Sequence, residues 1–177
     1  MYKHTFVNNS EESPAKSDTK QIIKMDVPPP PFKIGLIGCG QLGTVLLTKL
    51  LEVQDRFHNM QIIVSTRQPH LLKSFKEEFG VKCIFDNQKV AAECDIVFMT
   101  ILPTQSMEVF KEIRAVVDER NAKAEKDPSL SKPLIVSACA AMNYQKLRLL
   151  VSPNTVLLRT NVDIMVIKEY LFESNVL

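Results

Sequence analysis

Four of the chain's five glycines, Gly35, Gly38, Gly40 and Gly43, fall within nine of its 177 residues. In a glycine-poor chain that clustering points to chemistry. Gly38-Cys39-Gly40-Gln41-Leu42-Gly43 reads G-x-G-x-x-G, the spacing that lets a backbone close against a pyrophosphate. Gly38 allows a tight turn out of a strand, Gly40 has no Cβ to hold the phosphates off, and Gly43 lets the following helix pack close to the strand. The phosphates then face a helix N-terminus, where free N–H groups and the positive end of the dipole favour an anion. The expected contacts are Gly38, Cys39, Gly40, Gln41, Leu42 and Gly43. A glycine turn that binds nothing would share the spacing. A kinase-type phosphate loop is excluded, because no Gly-Lys-Ser/Thr follows.

The next choice is between NAD and NADP, made where the second strand ends. An acid there would hold the ribose hydroxyls, but the chain reads Val64-Ser65-Thr66-Arg67-Gln68. Two small hydroxyls and a guanidinium suit a 2′-phosphate, since Arg offers a charged two-pronged donor and an acid would repel it. Ser65, Thr66 and Arg67 are therefore expected to select NADP(H), with a solvated surface Arg as the alternative. Thr100, Leu102, Pro103 and Thr104 follow the fourth strand, and Ser137, Ala138, Cys139 and Ala140 the fifth. Both groups belong at the carboxyl edge of the sheet, where a nicotinamide would lie. Thr100, Leu102, Pro103, Ala138 and Cys139 are the contacts expected there, or else Ala138 and its neighbours are tight packing. Cys139 reads as a buried small hydrophobe rather than a nucleophile, having no His near it. His58 and His70 sit in polar stretches, so no catalytic acid or base can be named.

These residues need strands and helices to hold them. Apolar runs over 32–37, 61–66, 81–85, 95–102, 134–138 and 155–159 predict six strands. Helical spacing recurs in Leu42, Val45, Leu46 and Leu50, in Leu72, Phe75 and Phe79, in Val109, Ile113 and Val116, and more briefly in Leu147 and Leu150. The polar stretch 121–133 reads as a surface loop. Near-continuous apolar strands suit a parallel sheet covered on both faces. The expectation is an α/β, doubly wound Rossmann sheet of six strands in the order 3-2-1-4-5-6, over residues 32–165. Residues 1–31 hold five of the ten prolines and few large apolar residues, and read as a disordered leader ending in the run 28–31. Residues 166–177 read as a short tail.

Composition narrows the function classes. With 22 basic and 20 acidic residues the net charge is +2, so no large basic surface for nucleic acid is implied. The longest uncharged run, 34–48, is too short and too glycine-rich to span a bilayer. The N-terminal stretch lacks a signal core and an Arg-rich, acid-poor bias, so the cytoplasm is the default. Cys39, Cys83, Cys94 and Cys139 show no Cys-x-x-Cys pair and read as reduced thiols, with no metal site.

Four motifs in order, the stretch 34–43, Asp95-Ile96-Val97-Phe98 with Leu102-Pro103, Ser137-Ala138-Cys139-Ala140-Ala141, and Val156-Leu157-Leu158-Arg159, resemble the N-terminal half of the pyrroline-5-carboxylate reductase family. The resemblance covers about residues 32–163. It implies a Rossmann domain followed by a helical dimerisation domain, and NAD(P)H-dependent reduction of a cyclic imine to proline. The chain departs from the family pattern at Leu102, where Lys is usual, at Met142, where Gly is usual, and over 159–165. Only twelve residues follow Met165, too few for the helical domain. The expectation is a truncated or alternatively spliced form, monomeric where the dimerising helices are missing. Its expected activity is hydride transfer from NADPH to a small imine or carbonyl substrate. A non-catalytic NADP-binding sensor or interaction module is the alternative, and a methyltransferase-like fold ranks last because no acid follows the second strand.

Overall fold

The computed structural model describes residues 31–161 apart from 55, 58 and 140, and of Pro69 and Leu72 the backbone alone. The expected leader up to residue 30, the tail over 166–177 and His58 lie outside the described residues. Eleven elements follow in chain order: β1 (Lys33–Ile37), α1 (Gln41–Gln54), β2 (Gln61–Ser65), α2 (Pro69–Phe79), β3 (Lys82–Ile84), α3 (Asn87–Glu93), β4 (Ile96–Met99), α4 (Pro103–Lys126), β5 (Leu134–Ser137), α5 (Tyr144–Leu150) and β6 (Val156–Arg159).

All five strand pairings are parallel and the order is β3-β2-β1-β4-β5-β6, as the apolar runs predict. The chain reverses its direction of travel across the sheet between β1 and β4. Their carboxyl ends therefore leave a crevice on the side where the loops after β1, β2, β4 and β5 gather.

Alternation along the strands feeds two cores, one on each face. Ile34 and Leu36 of β1 and Ile62 and Val64 of β2 pack with Leu47 of α1 and Phe75 of α2. On the opposite face Ile37, Ile63, Val97, Met99 and Ile135 meet Val90 of α3, Phe110 and Ile113 of α4, and Leu147 of α5. Phe110, Leu36, Leu47 and Leu147 are fully buried, and each contributes about 1.5–3 kcal/mol by leaving water. Helix ends follow local chemistry. The Asp86 carboxylate accepts from the Lys89 N–H and starts α3, while Gly80, in the left-handed region at φ 63°, stops α2.

Two expectations are corrected. Helix α3 fills the stretch between the third and fourth strands, where the apolar pattern shows little. The polar stretch 121–133 is not all loop, because α4 runs on to Lys126 before the turn at Asp127. Its second half carries Ala, Lys and Glu, which favour helix without needing an apolar stripe. Among the described residues no helix is long and apolar enough to cross a membrane.

Candidate functional site

The crevice at the switch point is a cleft of about 590 Å3, a size ordinary for small-molecule and cofactor sites. Its floor is the β1–α1 turn. Gly38 sits there at φ 85°, a left-handed conformation that disfavours any side chain, and its N–H donates to the Ser65 carbonyl at 2.9 Å. The Thr100 hydroxyl donates to the Gly38 carbonyl, tying the turn to the end of β4.

Gly43 is pressed against that turn. A Cβ there would lie 2.5 Å from the Gly38 carbonyl oxygen and 2.8 Å from Thr100 Oγ1. Gly40 is the opposite case, exposed, with nothing within 4 Å of where its Cβ would stand. The motif thus contains two glycines required by the fold and one that leaves its outer side open. Helix α1 begins at Gln41 with no acid in its first turn, so its free N–H groups face the cleft without a competing negative charge. A pyrophosphate fits this cradle.

Three further sets of residues line the cleft. Ser65, Thr66, Arg67 and Gln68 come from the end of β2, Thr100 to Pro103 with Gln105 and Val109 from β4 and α4, and Ala138, Cys139 and Ala141 from the loop after β5. All the residues expected to touch a cofactor therefore meet in one place, Gly43 excepted, which lies just behind the loop. They do not all offer free groups. Ser65 and Thr66 are buried; the Ser65 hydroxyl donates to Asn87 Oδ1 at 2.7 Å, and Thr66 Oγ1 accepts from the Gln68 N–H at 3.3 Å. Only Arg67 of the three is exposed, and its Nη2 pairs with Glu108 Oε1 at 3.0 Å and Glu112 Oε2 at 3.6 Å.

Cys139 acts as a structural thiol. It is buried, its Sγ–H is 3.2 Å from the Ile101 carbonyl, and Ser106 Oγ lies 3.4 Å away, so it ties the loop after β5 to the loop after β4. Cys39, also buried, has its thiol pushed up to about 12 by desolvation, with Cys83 adding to the rise. Neither is placed as a ready nucleophile. The sheet-edge loops are held by backbone as well: Thr100 N–H donates to Ile37 O at 2.9 Å and Ala138 N–H to Met99 O at 3.1 Å. His70 is exposed and lies outside the cleft lining.

Asn87 is the residue that sequence reasoning missed. It lines the cleft, is buried, accepts from Ser65 and donates through Nδ2 to Glu112 Oε2 at 2.8 Å. It opens α3, directly after the capping Asp86, and that cap was the signal available to find it.

Residues 33–126, from β1 to the end of α4, match the family described as NADP oxidoreductase coenzyme F420-dependent. The chain belongs to this family. NADP(H), the cofactor that the glycine loop and Arg67 predict, is named in the family's description, beside coenzyme F420. The chain is 37% identical over 87 residues to the mouse (Mus musculus) NADP-dependent oxidoreductase domain-containing protein 1, covering 49% of this chain and 23% of that protein. It is 29% identical over 91 residues to the pyrroline-5-carboxylate reductase of Corynebacterium melassecola, covering 51% of this chain and 33% of the reductase. The chain thus spans about a quarter to a third of the length of these curated relatives. A solved pyrroline-5-carboxylate reductase from Coxiella burnetii shares the fold with a TM-score of 0.59 at 20% identity, over 80% of this chain and 54% of that one. The resemblance drawn from the four motifs is borne out.

Proposed function

We propose that the cleft binds NADP(H) and presents its nicotinamide for hydride exchange with a small substrate carrying a C=N or C=O group, in the manner of the pyrroline-5-carboxylate reductases. The observation that carries this reading is the open side of Gly40, set between the α1 N-terminus and a cleft with Arg67 at its rim. In this reading the backbone at Gly38, Cys39, Gly40, Gln41 and Leu42 holds the pyrophosphate, with Gly43 keeping α1 close enough for its N–H groups to point there. Arg67 receives the 2′-phosphate, while Ser65, Thr66 and Asn87 shape the floor beneath the ribose. Thr100, Leu102, Pro103, Ala138 and Cys139 bound the nicotinamide end. When bound, the cofactor supplies the hydride; the chain binds it, orients it and covers one of its faces.

A second reading, a cofactor-binding module without its own turnover, is favoured by one feature. Among the described residues the cleft lining holds no carboxylate, lysine or histidine to give a proton to a reduced substrate. Titration of the purified chain with NADPH and then NADH, by calorimetry or nicotinamide fluorescence, tests the shared step. Tighter binding of NADPH, with the preference passing to NADH in Arg67→Asp, supports the cofactor site; no binding of either nucleotide overturns it. Turnover of a cyclic imine by an NADPH-binding chain then separates the reductase from the module.

A further inference from the structure

The groups around Arg67 carry a consequence for cofactor choice, which rests on the cofactor reading above. Arg67 is exposed and lines the cleft, yet its guanidinium is already engaged by two carboxylates of α4, Glu108 Oε1 at 3.0 Å and Glu112 Oε2 at 3.6 Å. The two acids differ in what else they do. Glu112 is part of a chain of hydrogen bonds that runs Ser65 Oγ to Asn87 Oδ1 at 2.7 Å and Asn87 Nδ2 to Glu112 Oε2 at 2.8 Å. Its position is therefore held from beneath. Glu108 is two-thirds exposed and stands beside Gln105 and Val109, which line the cleft.

A 2′-phosphate and a carboxylate both seek the same planar two-pronged donor. An anion arriving at Arg67 must share it with Glu108 or displace it, and in either case comes close to a second negative charge. A ribose bearing a 2′-hydroxyl meets no such competition. We infer that Glu108 is a specificity-determining residue: by holding Arg67 it weakens 2′-phosphate binding selectively and narrows the margin between NADP(H) and NAD(H).

The test separates the 2′-phosphate from the rest of the cofactor by using adenosine 2′,5′-bisphosphate and 5′-AMP as probes on the full 177-residue chain. An exposed ion pair is worth little, so removing it in Glu108→Gln should tighten the bisphosphate by about two- to fivefold. Binding of 5′-AMP should stay unchanged. The gain should disappear in an Arg67→Ala background, because the competition acts through that guanidinium.

Equal or weaker bisphosphate binding by Glu108→Gln overturns the inference, as does an equal gain for 5′-AMP, which would report a general charge effect. A gain that survives Arg67→Ala overturns it too. These failures leave the cofactor site standing so long as the unaltered chain binds NADPH. Failure of that chain to bind NADPH or the bisphosphate at all removes the site and this inference together.

Discussion

Replacing the motif glycines one at a time by alanine should separate folding from binding, because the space around each differs. At Gly40 a methyl meets nothing within 4 Å, and the backbone is outside the left-handed region. Restricting the unfolded chain at such a position stabilises by about 0.4–1 kcal/mol. The melting temperature of Gly40→Ala should therefore hold or rise by a few degrees, at roughly 3–6 °C per kcal/mol for a domain of this size. At Gly43 the methyl would stand 2.5 Å from a backbone carbonyl oxygen, 2.8 Å from Thr100 Oγ1 and 3.3 Å from Cys39 Sγ. A carbonyl within a tied turn cannot move aside, so α1 must shift, at a cost of about 1–3 kcal/mol.

NADPH reverses the order. Supplied at about 100 times its Kd it should stabilise the unaltered chain by about 2.7 kcal/mol. Gly40→Ala puts a methyl where the phosphates approach, displacing hydrogen bonds to a charged group worth about 1.5–3 kcal/mol. Most of the nucleotide-dependent shift should vanish in this well-folded variant. Thermal melts with and without NADPH read both quantities. A Gly40→Ala chain that is strongly destabilised, or that keeps the full NADPH shift, would refute the assignment of Gly40 to the phosphate cradle.

Two further outcomes follow from groups away from the cradle. Burial pushes the Cys39 thiol up to about 12 and Cys94 to about 11 from 9.0; the unfolded chain loses these protons first, so the stability they confer is complete below pH 9 and falls as pH rises from there toward 12. The slope is up to about 1.4 kcal/mol per pH unit for each thiol, and urea unfolding across that range should show a shallower decline in Cys39→Ala, with identical slopes counting against the argument. Arg120, its pKa lowered chiefly by burial, reaches from α4 to donate to the Ala91 carbonyl at 3.0 Å and to the Cys94 carbonyl, closing the C-terminal end of α3. Arg120→Ala should lose about 1–3 kcal/mol to urea and Arg120→Lys recover only part of it, since Nη1 makes both carbonyl bonds while Nη2 faces Asp95 Oδ1 at 3.9 Å, and one ammonium cannot serve all three; full recovery by Lys would show that the second nitrogen adds nothing.

What was legible in the sequence depended on how local its cause was. The positions of the strands follow from short apolar runs punctuated by Gly and Pro, each a feature of a few neighbouring residues, and their order from the doubly wound arrangement that alternating strands and helices fit. Helix α3 escaped because its seven residues bury only Asn87, Val90 and Ala91, too small and mixed a set to show a helical stripe. Two local marks were nevertheless present. Asp86 is a capping residue, and Gly35 interrupts an apolar strand where a Cβ would stand 2.9 Å from Cys94 Sγ, the close approach that a lone strand glycine signals.

The rim of the cleft is a different case. Arg67 reads as a candidate phosphate donor from the sequence because that expectation needs only the end of β2. Its partners lie 41 and 45 positions further on, and the register that brings Glu108 and Glu112 to it is set by α4 packing Phe110 and Ile113 against the sheet. No spacing rule joins residues across two crossovers. The glycine loop therefore points to a dinucleotide from neighbouring residues alone, whereas the proposed balance between a 2′-phosphate and a 2′-hydroxyl rests on charges that only the fold assembles. An acid missing after the second strand does not mean an acid missing from the neighbourhood of Arg67: α4 brings two to its guanidinium from outside the cleft lining, and the proposed competition by Glu108 is what the comparison of Glu108→Gln with the unaltered chain will report.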